Sequence, residues 1–269
     1  MDAAFLAEID WKRPWLAGIR SLAEPILAEH DWMEALNARA ERLGILNHRG
    51  RPIRFVPQSR LPSGIGYEAF ISATGCVPTR ENLHDFFNAL IWLTFPNIKV
   101  RLNALQAAEI ERAQAPTASG DAMAAGRGLV RDAATLFDEN AALLVVRDPT
   151  LLDALREHRW EEVFLERRSD FSRDCAVQLF GHALMEKLVH PYNAITAHTW
   201  TVAAARDFFT WTPTAQAEWI DLEVAARLSD SLAPRDFTPM PILGVPGWWE
   251  GQDAAFYGDR AVFRPKRAR

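Results

Sequence analysis

The sequence predicts an α+β fold that is mainly helical, with a small antiparallel sheet in the second half and an extended C-terminal segment. Three observations predict it. Apolar residues recur at helical spacing through most of residues 1–112. Two β-prone runs flank the turn-prone residues Asp138–Asn140, which is the pattern of a β-hairpin. The final stretch, from about residue 230, is rich in Pro, Gly and aromatic residues and has no sustained period.

The chain is predicted to form a single domain, 1–269, in three parts. A helical half covers about 1–112, and a mixed α+β half covers about 129–269. Between them, residues 113–128 are small and polar and include Pro and Gly. Such a composition buries too little surface to offset the entropy of ordering, so this segment is predicted to be a mobile loop.

In the helical half, helices are predicted over about 11–43, 67–74, 79–93 and 97–114. The first is interrupted at Pro25 and restarts at Asp31, a typical N-cap residue. Thr79 is predicted to cap the third helix, which runs to the break at Thr94-Phe95-Pro96. One side of this third helix is nearly all Leu, Phe and Ile, so we expect it to lie in the core.

In the mixed half, the predicted hairpin pairs Thr135–Phe137 with Leu143–Val146. Helices are predicted over 150–157 and 215–228, and alternation in WEEVFLERR indicates another strand. The run DFSRDCAVQLFGHALMEKLVHP has apolar residues around much of its circumference, which predicts one long buried helix. Residues 194–205 fit either a strand, because of their β-branched residues, or a helix, because of their alanines.

Composition excludes several classes of protein. Hydrophobic residues make up 49% and charged residues 24%, as is ordinary for globular proteins. A net charge of −5 argues against binding nucleic acid through its phosphates. The N-terminus lacks the pattern of a signal peptide, and the longest apolar runs are too short to span a membrane. Cys76 and Cys175 are predicted to be reduced thiols in a cytoplasmic protein.

Five blocks of sequence together resemble a bacterial family known only as a domain of unknown function. In order they are VPTRENLHDFFNALIWLTFP, RDAATLFDEN, GHALMEKLVHP, ITAH and GVPGWWEGQDAAFYGDRAVFRP. They reach from about Tyr67 to Pro265. The resemblance implies one family-wide domain in a bacterial, cytoplasmic protein, and it implies no activity, cofactor or catalytic residue. The family pattern has Asn-Gly where this chain has Asn140-Ala141, which leaves the predicted turn type open.

A first candidate site lies at the start of the third predicted helix. His84, Asp85 and Asn88 are spaced to share one helix face. A carboxylate can orient an imidazole as a base, and the same groups can bind a metal. The alternative is a polar helix face in which Asp85 interacts with the helix dipole.

A second candidate is the pair His182 and Glu186, four residues apart on a helix predicted to be buried. Two such side chains can bind one ion from a single helix face, and His198 is a candidate third ligand. The spacing is not the H-E-x-x-H pattern of a zinc protease. A hydrogen-bonded His–Glu pair with a structural role in the core, and for His198 a core histidine, are the alternatives.

The predicted hairpin turn contributes Asp138 and Glu139 as candidate catalytic carboxylates, with exposed turn residues as the alternative. Arg131, Asn88 and Lys99 are the candidate substrate-binding residues. The sequence contains no G-x-S-x-G, P-loop, G-x-G-x-x-G or C-x-x-C pattern, so these classes of site are not indicated.

The function predicted from these groups is a metal-assisted hydrolase with a His/carboxylate cluster, which lowers the pKa of a water bound to a divalent metal. It requires His84 and His182, from different halves of the chain, to share one site. The alternative is a non-catalytic module that binds a small ligand or a protein, with the same side chains forming a buried polar network. The oligomeric state is not indicated.

Overall fold

The computed structural model describes residues 4–114 and 124–266 and shows a mainly helical α+β fold, which confirms the predicted fold class. The helices are α1 (Ala17–Leu27), α2 (Trp32–Leu43), α3 (Tyr67–Thr74), α4 (Leu83–Thr94), α5 (Pro96–Gln114), α6 (Ala124–Asn140), α7 (Pro149–Arg156), α8 (Arg168–Asp174), α9 (His182–Lys187), α10 (Pro213–Arg227) and α11 (Ala254–Tyr257). The strands are β1 (Arg54–Pro57), β2 (Cys76–Thr79), β3 (Ala141–Val146), β4 (Cys175–Leu179), β5 (Thr196–Ala203) and β6 (Thr238–Pro241).

The predicted helices of the first half are all present, with sharper boundaries. Asp31 caps α2 by accepting hydrogen bonds from the backbone N–H groups of Met33 and Glu34, as predicted. The predicted cap Thr79 instead ends β2, a strand that pairs in parallel with β1. Asn82 caps α4, because its side chain accepts from the backbone N–H of Asp85.

Helix α4 lies at the centre of the core. Its residues from Asp85 to Leu93 are all buried, and they include Phe86, Phe87 and Trp92. The helix contacts α1, α2, α5 and α9, so it joins the N-terminal helices to the second half of the chain. Buried apolar side chains from both halves form one continuous cluster.

The main sheet has four strands in the order β4-β3-β5-β6. Strand β3 is antiparallel to β4 but parallel to β5, and β6 is antiparallel to β5. All six residues of β3 are buried, as expected for a central strand covered on both faces. The sheet is therefore mixed, whereas the sequence predicted an antiparallel one.

The predicted hairpin is not formed. Thr135–Phe137 and the expected turn Asp138–Asn140 are the last residues of α6, and β3 begins directly after them at Ala141. Thr135–Phe137 is too short a run to form a strand against the helical pattern of the whole segment from Ala124. Asp138 and Glu139 consequently belong to a helix and not to an exposed turn.

Two other predictions in the second half are wrong. The single helix expected in DFSRDCAVQLFGHALMEKLVHP is divided into α8, β4 and α9, because the apolar run from Cys175 pairs with β3. The strand expected in WEEVFLERR is helical over Glu162–Glu166. The ambiguous segment 194–205 forms β5, and the helices predicted over 150–157 and 215–228 are present as α7 and α10.

The C-terminal stretch is partly extended, with β6 and short helical turns, and Tyr257 and Phe263 are buried in the core. The predicted mobile loop, 113–128, lies largely outside the described residues, which resume at the start of α6. Among the described helices, none has the length and apolar character needed to cross a bilayer.

Candidate functional site

A cavity of about 390 Å³ lies where α3, α4, α6 and α9 meet. It brings together His84 and His182, which the sequence-based hypothesis required to share one site. Most of its walls are polar. The lining residues are Gln58, Leu61, Gly66, Tyr67, Glu68, Arg80, His84, Asp85, Asn88, Gln106, Ile110, Arg131, Thr135, Asp138, Glu139 and His182.

The imidazole of His84 makes contacts through both of its nitrogens. Nδ1 lies 2.9 Å from Oε2 of Glu186, and Nε2 lies 3.1 Å from Nε2 of His182. The ring centres are 4.5 Å apart and the rings are nearly perpendicular, at 86°. The pair joins α4 to α9 across a sequence separation of 98 residues. His84 is partly exposed toward the cavity, whereas His182 is buried.

Burial has a strong effect on His182 and lowers its pKa to about 4, so its ring is neutral at neutral pH. Its Nδ1 atom is buried and lies 3.9 Å from Oδ2 of Asp138. Asp138 is in turn bonded to the buried Lys99, whose Nζ lies 2.5 Å from Oδ1. The contacts thus continue from Glu186 through both histidines to this ion pair.

Burial acts to raise the pKa of Asp138, but the positive charge of Lys99 and the proximity of His182 outweigh it, and the pKa lies below its ordinary value. Asp138 is therefore an anion at neutral pH. Lys99 also donates to Oδ1 of Asn88 at 2.8 Å and lies over the ring of Trp92. Lys99 is buried and does not line the cavity, so it holds Asn88 and Asp138 in place and is not placed to bind a substrate.

Gly181 explains how His182 comes so close to Asp138. The backbone N–H of Gly181 donates to the carbonyl oxygen of Ala141 at 2.8 Å, which fixes α9 against the junction of α6 and β3. A Cβ atom at this position would lie 2.4 Å from the carbonyl oxygen of Glu139 and 2.6 Å from the backbone nitrogen of Asn140. Only glycine allows this approach of the two backbones without a shift.

A second wall of the cavity is formed by Tyr67 and Glu68 at the start of α3. The amide of Asn88 donates to the hydroxyl of Tyr67 at 3.0 Å, and the amide of Asn103 donates to Oε2 of Glu68 at 2.6 Å. Burial and the nearby carboxylates raise the pKa of Tyr67 well above its ordinary value. Burial and the charge of Asp138 also raise the pKa of Glu68.

Asp85, predicted as catalytic, is used to hold Arg80. Its two carboxylate oxygens accept from the backbone N–H, Nε and NH2 of Arg80 at 2.6–3.0 Å. These bonds raise the pKa of Arg80 further. Both charges are therefore engaged with each other, and Arg80 presents the remaining face of its guanidinium group to the cavity.

The other predicted residues divide between the cavity and the rest of the molecule. Arg131, Glu139 and Asn88 line the cavity, and Arg131 and Glu139 form no side-chain hydrogen bond or ion pair with another described residue. His198 lies on β5, where it pairs with Ala141 and Pro239, and it does not line the cavity. Burial, with the charge of Lys187, lowers the pKa of His198.

The predicted metal-binding set is not assembled. Glu186 contacts His84, and within residues 4–114 and 124–266 no three His, Cys, Asp or Glu side chains are grouped as a metal ion needs. The two Nε2 atoms of His84 and His182 are the nearest approach to such a site. These residues do not fit the three- or four-ligand sites typical of zinc enzymes.

Sequence reasoning missed Tyr67, Glu68 and Arg80 as site residues. The sequence places Tyr67 and Glu68 only in a short helix, and they lie before the first quoted family-like block, which begins at Val77. Arg80 lies within the first block, four residues before His84. The blocks were thus a usable signal for Arg80, whereas nothing local in the sequence predicted that α3 would face α6.

The comparison with protein families identifies one family, and its match covers the whole candidate site. Residues 53–267 match the family model described as "Protein of unknown function (DUF3025)", and this range contains every residue that lines the cavity. No curated protein matches the chain. No solved structure matches it either. Because the match covers most of the chain, this protein belongs to the DUF3025 family of proteins of unknown function.

Proposed function

We propose that this protein is a hydrolase in which the pair His84–His182 accepts a proton from the attacking water. One observation carries the proposal: His84 is held by the carboxylate of Glu186 on one nitrogen and faces His182 with the other, at the wall of a cavity large enough for a small molecule. An imidazole oriented by a carboxylate is the usual arrangement of a general base.

The hydrogen-bond partners define the protonation of His84. An ionised carboxylate only accepts hydrogen bonds, so Nδ1 of His84 carries the hydrogen that Glu186 accepts. Nε2 of a neutral His84 then carries a lone pair. When His182 does not donate to it, this Nε2 atom is a base at the wall of the cavity.

The nearly perpendicular rings favour access by water. A straight N–H···N bond would hold the two ring centres further apart than the observed 4.5 Å. The contact between the two Nε2 atoms is therefore bent. A water molecule at this bend can give its proton to the Nε2 lone pair of His84. The positive charge that results lies beside Glu186, and Asp138 is near the second ring.

A divalent metal remains a prediction, and no step above depends on it. Elemental analysis of the purified protein tests it, together with thermal unfolding at added Zn²⁺ or Mn²⁺. Stoichiometric metal or a raised melting temperature supports a bound metal, and the absence of both effects argues against it. We also retain a bacterial, cytoplasmic setting as part of the proposal, which the free thiols Cys76 and Cys175 support.

The test is hydrolysis of a panel of chromogenic 4-nitrophenyl esters and phosphates by the wild type and by His84→Gln. Loss of a general base lowers a rate by roughly 10²–10⁴-fold, so we expect kcat/KM of His84→Gln to fall by at least about 100-fold on any substrate that the wild type hydrolyses. Rates with heat-denatured protein are subtracted as background.

The matched control is His190→Gln. His190 also contacts a carboxylate, with Nε2 3.1 Å from Oε2 of Glu8, but this pair is exposed and does not line the cavity. Its substitution is expected to leave kcat/KM unchanged. Activity of His84→Gln equal to that of the wild type would overturn the proposal, and so would a wild type inactive on the whole panel.

The non-catalytic alternative rests on a different observation. Asp138, Lys99 and Asn88 satisfy one another inside the protein, as in a buried structural network. If the wild type hydrolyses nothing on the panel but is stabilised against heat by small carboxylates or amides, the cavity is a binding site without chemistry.

A further inference from the structure

We infer that Tyr67 donates its hydroxyl hydrogen to the carbonyl oxygen of the substrate, and that the substrate is a carboxylic ester or amide. This rests on the proposed function, because it assigns the electrophilic side of the same reaction. Neither the family match nor the sequence patterns assign Tyr67 a role.

The first step is the orientation of Asn88. The ammonium group of Lys99 can only donate, and Nζ lies 2.8 Å from the side-chain oxygen of Asn88. This contact fixes which end of the amide is oxygen, so the NH₂ group must point to Tyr67, whose hydroxyl oxygen lies 3.0 Å away. Lys99 also donates to Asp138, so the donor and the acceptor are defined in each hydrogen bond from Asp138 through Lys99 and Asn88 to Tyr67.

The second step is the hydrogen of Tyr67. Its hydroxyl oxygen accepts from Asn88, so the O–H hydrogen is free to point elsewhere. Among the described residues, no acceptor for that hydrogen is within hydrogen-bond distance, and Tyr67 lines the cavity. A ligand in the cavity is the acceptor that this arrangement lacks.

The third step is the kind of oxygen that suits this donor. Burial, together with Glu68 and Asp85, raises the pKa of Tyr67, so the hydroxyl group remains protonated across the physiological range. A neutral donor in a site of low dielectric stabilises an oxygen whose negative charge develops during the reaction, as a carbonyl oxygen does.

The charges of the cavity wall argue against a phosphate substrate. Its two guanidinium groups are accompanied by four carboxyl groups, on Glu68, Asp85, Asp138 and Glu139. Arg80 is already bonded to Asp85, and the charge of Arg131 acts on the carboxyl group of Glu68, where it opposes the rise in pKa. A phosphate monoester brings up to two negative charges, and enzymes that bind it use clusters of unpaired cations.

The reaction that follows is balanced without an added reagent. The oxygen of water attacks the carbonyl carbon while its proton passes to the His84–His182 pair, and the carbonyl electrons move to the oxygen that Tyr67 holds. When the C=O bond forms again, the bond to the alcohol or amine breaks, and the leaving group takes the proton back from the histidine pair. Ester and water yield acid and alcohol, and the enzyme is restored.

The experiment compares 4-nitrophenyl acetate with 4-nitrophenyl phosphate for the wild type, Tyr67→Phe and the control Tyr192→Phe. Tyr192 is 56% exposed and does not line the cavity. Removing one donor to a developing oxyanion costs about 10²–10³-fold in kcat. We therefore expect Tyr67→Phe to lower kcat for the acetate by about that factor with little change in KM, and Tyr192→Phe to have no effect.

Three results separate the possible failures. Full activity of Tyr67→Phe in an active wild type overturns the role of Tyr67. Preference of the wild type for the phosphate overturns the substrate class. Full activity of His84→Gln, measured in the same assay, overturns the proposed function itself. Circular dichroism and the melting temperature verify that each variant is folded, and Asn88→Leu, which removes the group that orients Tyr67, should reproduce the loss of kcat.

Discussion

His182 is the residue in which burial and chemistry are most closely linked. Its pKa is lowered from 6.5 to about 4 by burial, so the folded protein resists protonation of a ring that the unfolded chain protonates readily. The unfolded state therefore binds one more proton than the folded state between these two pH values. Stability is present in full above pH 6.5 and falls as the pH drops toward 4.

This linkage predicts a measurable difference for His182→Gln. The shift corresponds to about 3 kcal/mol of unfolding free energy lost between pH 6.5 and pH 4 in the wild type. The variant should lack this part of the loss. Urea unfolding at a series of pH values measures both curves. Parallel curves for the two proteins would show that His182 is not buried as a neutral ring.

The buried ion pair of Lys99 predicts a large loss of stability when Lys99 is replaced. Lys99 is 4% exposed, and its ammonium group is the counter-ion of the buried Asp138. Removing one partner of a buried pair leaves an uncompensated charge, so Lys99→Met should lower the unfolding free energy by about 3–5 kcal/mol. Asp138→Asn in the same protein should restore part of that loss, because it removes the unpaired charge.

The matched control is Arg227→Met, which breaks an exposed pair with Glu223 on α10. Exposed pairs contribute about 0–1 kcal/mol, so urea unfolding should register little change. Equal losses in Lys99→Met and Arg227→Met would contradict the buried network that orients Asn88 and Tyr67.

Residue types in the site could be predicted from the sequence better than their roles. His84, Asp138, Glu139 and His182 do line one cavity, and the two of them that are buried, Asp138 and His182, are of residue types that need partners inside a protein. The role of Asp85 could not be predicted, since its partner Arg80 folds back on it through the β2–α4 turn. Glu186 was predicted as a metal ligand, but the structure places it on Nδ1 of His84.

At the scale of elements, the junction of α6, β3 and α9 positions the histidine pair. Gly181 makes this junction possible, because a side chain would meet the backbone of Glu139, Asn140 and Ala141. We predict that Gly181→Ala lowers the unfolding free energy by about 1–3 kcal/mol, the usual cost of overpacking, and reduces hydrolysis by displacing His182.

Gly128→Ala, on helix α6, is the matched control. A Cβ atom at Gly128 would meet nothing within 4 Å, and alanine is favoured over glycine within a helix by roughly 0.5–1 kcal/mol. Thermal unfolding should therefore show this variant to be slightly more stable than the wild type. A Gly181→Ala protein as stable as Gly128→Ala would mean that α9 does not pack on this junction.

The same junction marks where sequence-based prediction of the elements failed. Local patterns predict α3, α5, α7 and α10 correctly. They failed at Thr135–Asn140 and at Cys175–Leu179, which are short runs compatible with a helix or a strand. Pairing with β3 determines that Cys175–Leu179 is a strand, and such long-range contacts are not visible in a local pattern.

At the scale of the whole molecule, the candidate site exists because the two halves of the chain pack together. Helix α4 from the first half contacts α9 from the second, and the histidine pair lies on that contact. The sequence indicated both members of the pair, but their separation of 98 residues made the contact itself unpredictable. The proposed chemistry depends on this one contact more than on any other.

The most direct test is a two-bond ¹H–¹⁵N NMR spectrum of the histidine ring nitrogens at neutral pH, with His84 and His182 assigned by substitution. The proposal predicts that Nδ1 of His84 carries a hydrogen, because Glu186 accepts it, and that His182→Gln shifts the resonance of His84 Nε2. A His84 ring whose Nδ1 has no hydrogen, and whose Nε2 resonance does not move in His182→Gln, would contradict the pair and the hydrolase built on it.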